Sequence, residues 1–313
     1  MKFIPILTIV ILIINGCKSD NTERQNNQDN NNSEVKAINK QLNITILLDL
    51  SDRIEPKKYP ADPEHFERDI SIVNYFTEYF KKDMEKRGVF KSKGKLKVVF
   101  SPRPNDSEIN DIASKLKVNL ENKNSKEKKE IFETISENFK ESLTKIYSRT
   151  IDTKKYLGSD TWRFFKNDVK DYCIDESGNY RNILVLITDG YIFHVDSKGL
   201  KDQRSQYLTP EFIYSQRINL IGEFNIVKER IKEYDYGYMT ARNDLGDLEI
   251  LVLEINPTPK RKNDEDVIKE YLSKWFSEMN VKDFAMYNSD LPEYTKERIK
   301  KYMNKQSTPN SLK

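Results

Sequence analysis

Asn43-Ile44-Thr45-Ile46-Leu47-Leu48-Asp49-Leu50-Ser51-Asp52-Arg53 is an apolar strand that runs straight into a carboxylate and a hydroxyl. A strand apolar at nearly every position is buried on both faces, as in a mostly parallel sheet. Its polar C-terminal end then falls at the sheet edge where α/β folds build sites. Asp49 and Ser51 are therefore candidate site residues. Asn182-Ile183-Leu184-Val185-Leu186-Ile187-Thr188-Asp189-Gly190 repeats the pattern and again ends in a carboxylate.

The segments around these two strands alternate in period. Pro56 and Pro60 interrupt the chain before Asp62-Pro63, which reads as an N-cap with proline at the first helical position. Phe66, Ile70, Val73, Phe76 and Phe80 then give one apolar helical face, and Gly88 is a natural stop. Leu96 to Phe100 reads as a strand, closed by Pro102 and Pro104. Helical spacing returns at Ile112 and Leu116, and again at Ile131, Ile135, Phe139, Leu143 and Ile146. The lysine-rich run from Lys123 to Lys129 reads as a solvated helix start. A glycine turn, Leu157-Gly158-Ser159-Asp160-Thr161, leads into a helix marked by Trp162, Phe165, Val169 and Tyr172.

Residues 191–247 carry a weaker pattern, with a short hairpin expected at Ile192 to Val195 and helical stretches near Phe212 and from Ile226 to Ile231. Leu248 to Ile255 is a further strand, broken by Pro257 and Pro259. A helix through Val267, Tyr271 and Trp275, a strand from Val281 to Tyr287 and a helix from Glu293 to Met303 follow. This alternation predicts one α/β domain over residues 42–304, a doubly wound, mostly parallel sheet flanked by helices in a three-layer sandwich. Residues 191–247 are its long insertion and 305–313 a polar tail.

The N-terminus is of another kind. After Met1-Lys2-Phe3, Ile4 to Ile14 is nearly all aliphatic and stops at Asn15-Gly16-Cys17. That run is short for a permanent span. It resembles a bacterial lipoprotein signal, which implies removal of residues 1–16 and lipidation of Cys17. An ordinary secretory signal is the plainer alternative. On the first reading the mature protein is anchored to the cell envelope, not membrane-spanning. Its place is the outer membrane, on the periplasmic face or at the cell surface. Residues 17–41 are dominated by Asn, Gln, Ser, Asp and Glu and read as a disordered tether.

The only other cysteine, Cys173, reads as a small buried hydrophobe, so no disulfide is expected. Charged residues make up 33% of the chain, but Lys+Arg 53 against Asp+Glu 50 is a solvated surface with no nucleic-acid footprint.

Three loops remain: Asp49 to Arg53, Gly158-Ser159-Asp160-Thr161, and Thr188-Asp189-Gly190. Their order and content resemble a von Willebrand factor type A (VWA) domain. The metal-ion-dependent adhesion site (MIDAS) of that family takes an Asp-x-Ser-x-Ser loop, a Gly-Thr-x-Thr turn and a Thr-Asp-Gly strand end. The resemblance implies Asp49, Ser51, Ser159 and Asp189 as ligands of Mg²⁺ or Mn²⁺, hard ions that favour oxygen donors. It implies supporting or ligand-contacting places for Asp52, Arg53, Thr161 and Thr188. Two positions depart from the pattern: Arg53 stands where the family has its second Ser, and Ser159 replaces Thr. An outward Arg53 leaves room for Asp52 or water at the ion; an inward one lets the guanidinium stand in for the metal.

The function this implies is a lipid-anchored binding module for a protein or surface ligand that offers a carboxylate. No catalytic triad, zinc spacing or phosphate-cradling glycine loop argues for an enzyme. Two alternatives stand beside it. One is a haloacid-dehalogenase-like phosphatase, which would need Asp where Ser51 stands. The other is a structural subunit of an envelope complex with a vestigial site.

Overall fold

The computed structural model describes residues 40–216, 224–258 and 263–305. The expected leader, Cys17, nearly all of the tether and residues 306–313 of the tail lie outside them. Strand β1 (Gln41–Leu48) pairs in parallel with both β2 (Lys95–Phe100) and β4 (Tyr180–Ile187). Before β2 comes α1 (His65–Arg87). After it come α2 (Ser107–Ala113), β3 (Lys117–Asn119) and α3 (Ser125–Thr153). Helix α4 runs Thr161–Arg163 as α, Phe164–Asp168 as π and Val169–Cys173 as α again.

The insertion contains β5 (Leu200–Lys201), β6 (Arg204–Ser205), α5 (Pro210–Ser215), α6 (Phe224–Glu233) and β7 (Gly237–Tyr238). Strand β8 (Leu248–Ile255), α7 (Asp264–Glu278), β9 (Asp283–Asn288) and α8 (Pro292–Met303) complete the described chain.

The main sheet has the order β3-β2-β1-β4-β8-β9 and is parallel except for β3. Helices cover both faces, so the domain is the expected doubly wound three-layer sandwich. Side-chain alternation divides the core between the two faces. Ile44, Ile46, Leu48, Ile183, Val185 and Ile187 pack with Phe76, Phe80, Phe139 and Leu143 from α1 and α3. Leu47, Leu184, Leu186, Ile250 and Val252 pack on the other face with Phe165, Val169 and Trp275 from α4 and α7. Each such fully buried side chain contributes about 1.5–3 kcal/mol of hydrophobic stabilisation. Asn43 and Thr45 are the polar interruptions of β1. They donate to the carbonyls of Cys173 (3.0 Å) and Tyr172 (2.9 Å), satisfying the C-terminal end of α4.

Some local expectations are corrected. Helix α1 begins at His65, not at Pro63, because Glu64 and Glu67 form a reciprocal capping box there. The helical spacing at Ile112 and Leu116 ends at Ala113. Leu116 is buried instead just before the short antiparallel edge strand β3. No hairpin forms at Ile192 to Val195: Ile192 bridges to Leu208, and the hairpin of the insertion is β5–β6. The insertion is fastened to the second face. The indoles of Trp162 and Trp275 both donate to the Met239 carbonyl (2.8 and 3.1 Å), and Arg204 joins Asp235 to Glu278 on α7.

Candidate functional site

The order of the sheet reverses between β1 and β4. From β1 the chain moves outward through β2 and β3, and from β4 it moves the other way through β8 and β9. In open α/β sheets, ligands bind at the carboxyl ends of the strands beside this reversal. Leu48 and Ile187 are register partners across it. Asp49 and Asp189 therefore leave adjacent strands at one crevice.

Asp49 is held on both oxygens. Its Oδ1 accepts the Ser51 N–H (2.8 Å) and its Oδ2 accepts the Thr188 hydroxyl (3.1 Å). Thr188 thus orients Asp49 from the neighbouring strand. Asp189 Oδ1 accepts the Tyr191 N–H (2.9 Å), and its Oδ2 accepts no hydrogen bond from a described residue. Although Asp189 keeps some exposed surface, burial of its carboxyl group and the charge of Asp49 push its pKa up to about 7, against the pull of Arg53. Two carboxylates at one crevice without an adequate counter-charge behave in this way.

Arg53 lies in a 3-10 turn, Asp52–Ile54, and its side chain points inward. Its Nη2 donates to Asp69 Oδ2 at 2.5 Å, and the Tyr147 hydroxyl donates to the same oxygen at 2.7 Å. All three residues are buried. Burial opposes the charge on Arg53, but Asp69, Asp49, Tyr147 and Asp189 together outweigh it and raise its pKa. Burial likewise pushes Asp69 up while Arg53 and Tyr147 hold it down. The guanidinium, which does not deprotonate, is the counter-ion of this carboxyl group. Deeper still, Glu254 sits at a positive φ of 69° beside a register shift in β8, with Oε2 accepting from Ser289 at 2.7 Å.

Asp52 turns to the surface, where Lys58 pairs with it. Ser159 and Thr161 are buried, and their hydroxyls share a hydrogen bond of 2.8 Å. The turn that carries them is locked to the insertion. The Ser159 N–H donates to the Phe193 carbonyl at 2.9 Å. Gly158 has φ +77°, and a Cβ there would lie 2.4 Å from that same carbonyl oxygen, so glycine permits the approach.

Asp160, to which the sequence reading assigns no role, is the hub of this lock. Its Oδ1 accepts from Ser197 Oγ at 2.5 Å, and its Oδ2 lies 3.3 Å from both His194 Nδ1 and Arg163 Nε. Asp69 was also missed: it follows Glu67 and Arg68 in a helix and reads as one more charged surface position, and only its burial against Arg53 marks it.

The two carboxylates that meet at the crevice are the hard oxygen donors a divalent cation takes, and Ser51, Thr188 and Tyr191 orient them in the manner of an outer coordination shell; the Ser159 hydroxyl is engaged with Thr161. Among the described residues no three His, Cys, Asp or Glu side chains cluster as metal ligands. A site of two carboxylates completed by hydroxyls would not form such a cluster. Cys173 is fully buried and its thiol is pushed up to about 12 by burial, so it supplies no nucleophile. Among the described residues no helix is long and apolar enough to cross a membrane.

The fold and crevice define an α/β three-layer domain with an acidic cleft at its switch point. Comparison with protein-family models, with curated proteins and with solved structures finds no match to this chain.

Proposed function

We propose that this protein is a lipid-anchored binding module of the cell envelope, with a VWA-like domain that grips a carboxylate-bearing protein or surface ligand through Mg²⁺ or Mn²⁺. Asp49, Ser51, Ser159 and Asp189 would hold the ion, whose vacant position takes the ligand carboxylate. Lipid on Cys17 would fix the module to the membrane. The observation that carries this reading is the engagement of Arg53 with Asp69. The guanidinium is spent on an inner carboxylate, so Asp49 and Asp189 still lack a full counter-charge, which a divalent cation supplies.

Calorimetric titration of the full chain in detergent with Mg²⁺ and Mn²⁺ tests it. Saturable binding that disappears in Asp49→Ala supports the module. Absence of heat and of any thermal shift in both proteins would leave a structural subunit with a vestigial site. Release of a Cys17→Ala variant from the membrane fraction tests the anchor.

A further inference from the structure

Next to the cleft, on the β2 side, lies a cavity of about 360 Å³. Leu50, Phe100, Pro102, Pro104, Ile109 and Tyr156 give it an apolar wall. It lies beside the candidate site: its lining residues Leu48 and Leu50 flank Asp49 in the chain, and Gly158 precedes Ser159. Its size falls at the lower end of the range for ligand pockets.

The polar groups of the cavity fall into two sets. Asp106 is already used on both oxygens: Oδ1 accepts the Ile109 N–H at 3.1 Å, and Oδ2 accepts from Arg149 Nε at 2.8 Å. Its charge is thereby answered within the fold. Lys154 and Lys155 also line the cavity, are exposed, and have no carboxylate within ion-pair distance among the described residues. Helix α3 ends at Thr153 on the cavity wall, and its carbonyl end disfavours an anion deep inside. The charge preference is therefore layered: an apolar group within, and an anion at the lysine rim.

We propose that this cavity is the specificity pocket of the binding face and receives a large apolar side chain of a protein partner, with an adjacent acidic residue of the partner meeting Lys154 and Lys155. The proposal rests on reading the cleft as a protein-binding site, and it adds a sequence preference that needs no metal. A partner segment of the form aromatic-acidic fills both layers. Leu157 and Phe193, exposed on the two loops that meet at Gly158, extend the apolar surface toward the cleft.

The test is methyl-detected NMR of the full chain in detergent, without divalent ions, titrated with three blocked peptides: Gly-Phe-Asp-Gly, Gly-Phe-Asn-Gly and Gly-Ala-Asp-Gly. The Phe-Asp peptide is expected to shift the Leu50 and Ile109 methyls in a saturable way. The Asn peptide should bind several-fold more weakly, and the Ala peptide should leave these methyls unmoved. Thr153→Trp, which fills the cavity from its wall, should abolish the shifts, and Lys155→Glu should reduce the Phe-Asp response to that of Phe-Asn.

Equal responses to all three peptides, or none at these methyls, would overturn the proposal, as would an undiminished response in Thr153→Trp with Lys155→Glu also unchanged. Cation titration of the same sample separates the two ideas. Mg²⁺ binding without a peptide response sinks the pocket and leaves the metal cleft standing; the reverse result sinks the metal and leaves the pocket.

Discussion

Arg53 and Asp69 form a fully buried ion pair, 2.5 Å between Nη2 and Oδ2, directly beneath the crevice that Asp49 and Asp189 open. Within the pair Asp69 offsets most of the guanidinium charge, and only the remainder reaches the two crevice carboxylates. Removing Arg53 alone strands Asp69 in the core. We expect Arg53→Ser to lose about 3–5 kcal/mol of stability in denaturant unfolding, as breaking a buried pair on one side does. Arg53→Ser with Asp69→Asn should recover most of that loss. The double variant removes one positive and one negative charge together, so its Mg²⁺ affinity by calorimetry should stay within about threefold of the parent's. A change of about tenfold or more would show that the guanidinium acts on the ion without being offset by Asp69.

The central strands were legible because they are buried on both faces: β1 and β4 have runs of Ile, Leu and Val, each ending in an acid. Their membership of one doubly wound sheet followed from the alternation of strand and helix periods; their adjacency at the switch point is a finding of the structure. What was not legible depended on contacts between distant segments. Leu116 is spaced like a helical residue but is buried just before a three-residue edge strand. The direction of Arg53 is decided by Asp69, 16 residues away, and by Tyr147 on another helix. Asp160 holds its place through Ser197 and His194, which lie in the weakly patterned insertion.

Gly158 offers a sharper probe of how the loops are assembled. Its φ of +77° and the 2.4 Å approach of the Phe193 carbonyl oxygen to a would-be Cβ leave no room for a side chain. Gly158→Ala should destabilise the fold by about 1–3 kcal/mol, the usual scale for a non-glycine residue forced into that region. It should also break the Ser159 to Phe193 hydrogen bond, which hydrogen exchange at the Ser159 amide would register as lost protection.

His65 sets an acid limit on stability. It is buried at the start of α1, and burial, followed by the charges of Arg53 and Arg68, lowers its pKa to about 4. In the unfolded chain it titrates near about 6.5. Between these values the unfolded state binds more protons, so the stability contributed above about pH 6.5 is lost as pH falls toward 4. Thermal unfolding from pH 7 to 4.5 should be less steep in His65→Gln than in the parent. The chain has two histidines, so imidazole NMR can assign the low value without ambiguity; a pKa near 6.5 for His65 would contradict its burial.

Asp160 is the remaining test, because it separates positioning from ligation. The residue is buried and answers three side chains, Ser197, His194 and Arg163, two of them on the insertion. Asp160→Ala leaves the buried Ser197 hydroxyl without its acceptor and Arg163 without its carboxylate, at a cost of about 1–3 kcal/mol for the group that stays buried. The loss should be local. Residues 193–198 should become open to limited proteolysis and lose hydrogen-exchange protection, while the β1 and β4 amides keep theirs. With the Ser159 turn released, cation affinity should fall even though Asp49 and Asp189 are intact. Asp160→Asn, which keeps one acceptor for Ser197, should restore part of both properties; equal damage from Ala and Asn would mean that the charge on Asp160, not its hydrogen bonding, holds the turn.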